Sequence, residues 1–179
     1  MTKFKQRQKY IQLGYYMGTD GAILDMPQEY LPEILLGFII AQGHIWMDKN
    51  DHLFLRMFSQ NRNLLNKLQS KIHMATGLPR KKSKIKPVPI YVLGQTKSVG
   101  LSYAQPYQIN YKDAVALDLL TYIFTSSMTQ TVNALDSYDR LNLLKQYNNA
   151  LTSDVVKRRY DKSTHPRHNT LPKPVFEID

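Results

Sequence analysis

The order of apolar and polar positions divides this chain into a short series of elements. Residues 35–43 read Leu35-Leu36-Gly37-Phe38-Ile39-Ile40-Ala41-Gln42-Gly43, almost without a polar face. Such a run predicts a helix buried all round. Pro27 and Pro32 mark its start, and Glu29 and Glu33 lie at the positive end of its dipole. Gly43 reads as its stop, because glycine enters the left-handed conformation at little cost. Gly37 and Ala41 are four apart and share a face, where small residues let another backbone come close. Residues 44–48 then alternate, Lys49-Asn50-Asp51 reads as a turn, and 52–58 alternate again, a hairpin signal. Residues 60–72 have helical spacing, with Leu64, Leu65, Leu68 and Ile72 on one face. Two further β-like runs cover 90–93 and 101–109. A last helix is predicted over 112–124, with Val115, Leu119, Tyr122 and Ile123 on its apolar side. The order is helix, strand, strand, helix, strand, strand, helix, and the fold class is α+β.

Charge changes this picture more than composition does. The chain has a formal net charge of +10. Residues 52–112 contain no Asp or Glu, yet carry Arg56, Arg62, Lys67, Lys71, Arg80, Lys81, Lys82, Lys84, Lys86, Lys97 and Lys112. Ordinary surfaces mix signs, so an acid-free block inside a folded region points to a polyanionic partner. The ends are basic as well. Residues 1–28, with Lys3, Lys5, Arg7 and Lys9, read as a basic N-terminal arm. Residues 29–152 read as one domain, with a further helix beginning near Ser137. Residues 153–179, with Lys157, Arg158 and Arg159 and then His165-Pro166-Arg167-His168, read as a basic extended tail.

Other chemistries find little support. There is no cysteine, and the five histidines lack metal-ligand spacing. The glycines flank an apolar helix rather than a phosphate-cradling turn. The longest apolar run falls far short of the roughly 20 residues that a membrane span requires, so no membrane partner is expected.

Residues 35–43, followed by His44 and Ile45, resemble the nine-letter motif of the LAGLIDADG homing endonucleases and their maturase relatives. Phe58-Ser59-Gln60 with Leu64, Leu65 and Leu68 are similar to that family's second strand and second helix, and the element order agrees over 29–125. One copy of the motif is read in the chain. The resemblance implies an αββαββα unit with a saddle-shaped antiparallel sheet. Single-motif members are homodimers whose motif helices pack through their small residues, here Gly37 and Ala41. The resemblance also implies an organellar setting, mitochondrion or chloroplast.

The departure from the motif is at its acid. The family's metal-binding acid precedes the last glycine, and that position here is Gln42; Ile40 stands at a second position that is often acidic. An amide lacks the charge that holds Mg²⁺ and cannot help generate a metal-bound nucleophile. Asp48 and Asp51 lie at the far end of the hairpin, roughly 16 Å away along the strand. Glu33 is at the opposite end of the same helix. Lys112 falls where the resemblance implies a basic residue near the metal. No catalytic residue, metal or cofactor is therefore expected.

Alternation assigns a binding face. With Ile45, Met47, Leu53, Leu55 and Met57 directed to the core, His44, Trp46, Asp48, Phe54, Arg56 and Phe58 face outward. Trp46 and Phe58, with Tyr91, Tyr103 or Tyr107, suit stacking on unpaired bases better than reading a DNA groove. The expected nucleic-acid contacts are His44, Trp46, Arg56, Phe58, Arg80, Lys81, Lys82, Lys84, Lys86, Lys97, Lys157, Arg158 and Arg159. The expected function is binding of structured RNA by a homing-endonuclease descendant that no longer cuts, on a group I intron or on ribosomal RNA within an organellar ribosome. The alternatives are an active Mg²⁺-dependent endonuclease that cuts duplex DNA and a DNA-binding regulator on the same fold.

Overall fold

The structure is a computed structural model, and it describes residues 2–78, 85–87, 107–125 and 137–161. It is mixed helix and sheet, an α+β fold. Helix α1 (Lys3–Asp20) leads through a single 3-10 turn (Gln28–Tyr30) into α2 (Leu31–Gln42). Strands β1 (Gly43–Met47) and β2 (Leu53–Ser59) follow, then α3 (Arg62–Thr76), β3 (Lys86–Pro87), β4 (Tyr107–Lys112) and α4 (Asp113–Thr125). Helices α5 (Ser137–Thr152) and α6 (Asp154–Asp161) complete the described chain. The order α2-β1-β2-α3 and the strand that leads into α4 are those that the sequence pattern predicts, whereas β3 falls outside the runs read as strands.

Helix α1 corrects the reading of 1–28 as an arm. The Thr2 side chain accepts from the Lys5 N–H at 3.4 Å and starts the helix. Gly21, left-handed at φ +67°, ends it by donating its N–H to the Met17 carbonyl. Its buried stripe is Ile11, Gly14, Met17 and Gly18. Two of those four are glycines, so the stripe carries little hydrophobic signal. What it offers is closeness. A Cβ on Gly14 would lie 2.0 Å from the Ile34 carbonyl oxygen, and one on Gly37 would lie 1.9 Å from the Ile11 carbonyl oxygen. The contacts are reciprocal: each glycine meets the residue three before the other glycine. A Cβ on Gly18 would lie 2.8 Å from that of Ala41. The Gly37–Ala41 face expected to meet a second copy is therefore covered by α1 of the same chain. Buried Glu33 lies 3.4 Å from Arg7 Nε, and Tyr10 stacks on Tyr30 with ring centres 4.2 Å apart, so polar and aromatic contacts flank the glycine crossing.

The sheet is antiparallel in the order β1-β2-β4-β3. Leu53, Leu55 and Met57 of β2 and Ile109 and Tyr111 of β4 are buried on its inner face, against α2, α3 and α4. Asn61 caps α3 by accepting from the Asn63 and Leu64 N–H groups. The expected strand at 90–93 lies outside the described residues. The described part of the 101–109 run begins at Tyr107 and reaches Lys112. Gly43 is extended at φ −124°, not left-handed as expected. It is small for a different reason: a Cβ there would lie 2.5 Å from Ile39 Cα, in the tight step from α2 into β1.

Helix α6 corrects the extended-tail reading over 154–161. Val156 and Tyr160 are buried, and the Tyr160 hydroxyl donates to buried Asp118 of α4 at 2.7 Å. Tyr147 of α5 stacks on Phe124 and donates to Thr121 Oγ1 at 3.2 Å. Among the described residues no helix is long and apolar enough to cross a membrane.

Two predictions follow from this packing. Gly37→Ala should cost about 2–3 kcal/mol in urea unfolding, because backbone rather than a flexible side chain opposes the methyl group. Gly77→Ala meets open space and should cost only about 1 kcal/mol, for its left-handed φ of +68°. Burial pushes the Tyr147 hydroxyl up to about 12 from 10.0. The neutral form's contribution is complete below pH 10 and is lost as pH rises towards 12. The alkaline fall in stability should therefore be shallower in Tyr147→Phe over that range.

Candidate nucleic-acid interface

The strand registers place the outward side chains in rows. His44 of β1 pairs with Arg56 of β2, which pairs with Asn110 of β4. Trp46 pairs with Phe54, which pairs with Lys112. Phe58 pairs with Gln108, which pairs with Lys86 of β3. Alternation along each strand puts all of them on the face away from the helices. His44, Lys86 and Lys112 are exposed, and the remaining side chains are half-buried.

Within this grid the rings and cations form a ladder. Lys112 Nζ is 5.5 Å from the Phe54 ring centre, and Phe54 stacks on Trp46 at 4.8 Å and 14°. Arg56 Cζ lies 4.5 Å from the Trp46 ring centre and 6.0 Å from that of Phe58. The His44 ring is 5.1 Å from Trp46. Cations over ring faces are attracted by the ring quadrupole, more so where water is partly excluded. The ladder therefore fixes Arg56 and Lys112 on the sheet before any ligand arrives. Trp46 thus has both Phe54 and Arg56 against it.

The sequence-predicted residues divide into groups. His44, Trp46, Arg56 and Phe58 come together as expected, with Lys86 at the far edge. Arg80, Lys81, Lys82, Lys84 and Lys97, like Tyr91 and Tyr103, lie outside the described residues. Tyr107 turns inward, in register with Ser59 and on the same side as Ile109 and Tyr111. Sequence reasoning missed Gln108 and Asn110. The alternation of buried Ile109 and Tyr111 would have found both. Gln108 Oε1 and Asn110 Oδ1 are enclosed and have no hydrogen-bond partner among the described residues. Enclosed acceptors of this kind call for a donor.

Arg159 belongs to the framework rather than to the binding set. Its guanidinium donates to the Asn50 carbonyl at 3.0 Å and to the Asp51 carbonyl, and lies 3.5 Å from Asp113 Oδ1. Asp113 opens α4 at φ +50°, accepts from the Leu53 N–H at 3.2 Å and pairs with His52 Nδ1 at 2.9 Å. Asp48 Oδ1 accepts from the Asn50 and His52 N–H groups, both at 2.9 Å. The His52 N–H above all holds the Asp48 carboxyl below its usual range. Helix α6 thus clamps the β1–β2 turn. Arg158 and Lys157 are exposed on α6, away from the sheet rows; Arg158 Nε donates to the Asp154 carbonyl at 3.3 Å, and Lys157 lies 3.9 Å from the Asp154 carboxylate.

Gln42 ends α2, beside Gly18 of α1: a Cβ on Gly18 would lie 3.6 Å from Gln42 Cγ. Sequence reading found no acid near Gln42, yet this contact brings the end of α1, with exposed Asp20, to the same end of α2. One carboxylate beside an amide is a poor set for a hard divalent cation. Lys112 does not join this pair. It stands three residues along β4 from Ile109, the residue in register with Met57 and Gly43, or roughly 10 Å away.

The clamp can be tested apart from binding. Arg159→Met should lower stability by about 1–3 kcal/mol, since two turn carbonyls and a carboxylate lose a charged donor. Lys157→Ala should be within about 0.5 kcal/mol of the parent chain. Differential scanning calorimetry on both variants checks the contrast.

Comparison of the chain with protein-family models, with curated proteins and with solved structures finds no match.

Proposed function

We propose that this protein binds nucleic acid through the outward face of its sheet, and that structured RNA with unpaired bases is its ligand. The observation that carries this reading is the ladder Lys112–Phe54–Trp46–Arg56–Phe58, bordered by exposed His44 and Lys86. Cations at its rim suit phosphates, and a floor of three rings suits flat bases that have left a helix. The net charge of +10 and the acid-free block over 52–112 supply attraction at longer range. The resemblance to LAGLIDADG proteins, with Gln42 at the acid position, supports descent from a homing endonuclease that no longer cuts. An intron RNA, or ribosomal RNA in an organellar ribosome, fits that descent. Formation of double-strand breaks in a duplex library with Mg²⁺ would overturn the non-cutting part.

A second reading has its own support. Arg56, Lys112, Gln108 and Asn110 are residue types that read base edges in duplex DNA, and the register gathers them on one face. A clear preference for a short duplex site over RNA would decide for a DNA-binding regulator.

Trp46 is the chain's single tryptophan, so its fluorescence reports on the face directly. Single-stranded RNA of about 12 nucleotides should quench it saturably and more tightly than duplex DNA does. Affinity should fall steeply with salt. Changing Arg80, Lys81, Lys82, Lys84 and Lys86 together to Ala should reduce the slope of log K against log salt by about 3. An unchanged slope, or no quenching by any nucleic acid, would overturn the reading.

A further inference from the structure

We infer that the outer face of α1 is a second nucleic-acid contact, where Lys5 and Lys9 hold the phosphate backbone of an RNA that also reaches the sheet. The inference rests on the nucleic-acid reading above for the class of its ligand.

Position is the first argument. Ile11, Gly14, Met17 and Gly18 turn to α2 and are buried. Lys5, Lys9 and Gln12, spaced by four and three residues, form a row on the opposite side of α1, and all three are exposed. Tyr15 is exposed beside this row, and exposed Lys3 stands at the start of the helix. The row and the outward sheet face point away from α2 in different directions, so a ligand must extend past the sheet to touch both.

Charge is the second. Helix α1 is charged against its own dipole. Its first turn carries Lys3 and Lys5 and no acid, at the end where cations are unfavourable. Its one acid, Asp20, stands in the last turn, at the end where anions are unfavourable. Lys5 and Lys9 repel each other across one turn. Arg7 is engaged by buried Glu33, and Asp20 by the Tyr16 hydroxyl. Among the described residues no carboxylate lies within 4 Å of Lys3, Lys5 or Lys9. The glycine crossing holds α1 in place, and these lysines add repulsion to it. Local rules broken without a gain in packing mark functional positions. A polyanion along the row would remove the repulsion.

Residue type selects the occupant. Lys, Gln and Tyr are side chains that reach phosphate and sugar, contacts that position a nucleic acid without reading its bases. A helix that lies on a membrane buries an apolar face in it, and the apolar side of α1 is already packed on α2. An acidic protein would answer the charge alone. RNA is favoured because one strand can engage the sheet and α1 together, and linking two weak contacts strengthens both.

The test uses the full chain and polyuridine of about 12 or about 60 nucleotides, the longer one able to pass from the sheet to α1. Lysine acetylation, read by mass spectrometry, should slow at Lys5 and Lys9 when the longer RNA is bound, and stay unchanged at exposed Lys49 and Lys145. Changing Lys5 and Lys9 together to Gln should weaken the longer RNA about fivefold and reduce its slope of log K against log salt by about 1.4, for two phosphate contacts. Changing Lys49 and Lys145 together to Gln removes the same charge and should weaken it less than about twofold at about 0.1 M salt. Quenching of Trp46 by the shorter RNA should keep its Kd within about twofold in both variants. Circular dichroism melts confirm that they fold. Quenching of Trp46 with Lys5 and Lys9 left unprotected overturns the inference alone. So does equal weakening by the two double variants, the mark of net charge, or a matching loss of the shorter RNA, which would place the effect on the sheet. Equal protection of Lys5 and Lys9 by polyglutamate overturns RNA as the occupant in favour of an acidic protein. Absence of binding to either RNA instead overturns the nucleic-acid reading itself, and the inference falls with it.

Discussion

The close approach of α1 and α2 is the constraint on which the rest of this structure depends. Gly14 and Gly37 remove the Cβ atoms that would otherwise meet carbonyl oxygens of the facing helix at about 2 Å. This lets α1 lie on α2 backbone to backbone. Helix α2 then has α1 on one side and the sheet on the other, and its residues Leu31–Ile39 are all buried. Because α2 runs straight into β1 at Gly43, its placement also fixes where the hairpin begins. The position of every outward side chain on β1 and β2 follows from that start and from the period of two.

The sheet's inner and outer faces solve different problems with the same strands. Inside, Leu53, Leu55, Met57, Ile109 and Tyr111 close the core against the helices. Outside, rings and cations are interleaved so that Arg56 and Lys112 each lie over a ring. Such a surface is neither a plain hydrophobic patch, which would invite association, nor a plain basic one, which would leave long side chains disordered. The ring contacts hold Arg56 and Lys112 against the sheet. Helix α6 contributes from outside the sheet: Arg159 ties down the turn that joins the two strands carrying most of the ladder.

Much of this was legible from periodicity. A hairpin whose apolar positions fall at every second residue can bury one face only, so the outward placement of His44, Trp46, Arg56 and Phe58 follows from the sequence. The α2 run and the apolar positions of α3 and α4 were equally readable. What escaped were elements with a weak apolar signal. Helix α1 packs through glycines, which hydropathy does not count as core. Helix α6 is short and basic, and only Val156 and Tyr160 reveal that it docks. Arg159 looked like one more cation in a charged tail, because its carbonyl partners lie more than a hundred residues earlier.

The sequence by itself determined the α+β class, the helix, hairpin and helix over α2 to α3, the two faces of the hairpin and the strongly positive charge, since each depends on local spacing or on simple counting. Only the tertiary structure decided what covers Gly37 and Ala41, which cross-strand neighbours Gln108 and Asn110 meet, and which cations are committed to the framework. Those outcomes depend on which backbones come within contact distance and on strand register. Both are set by contacts between residues far apart in the chain, and no local pattern records them.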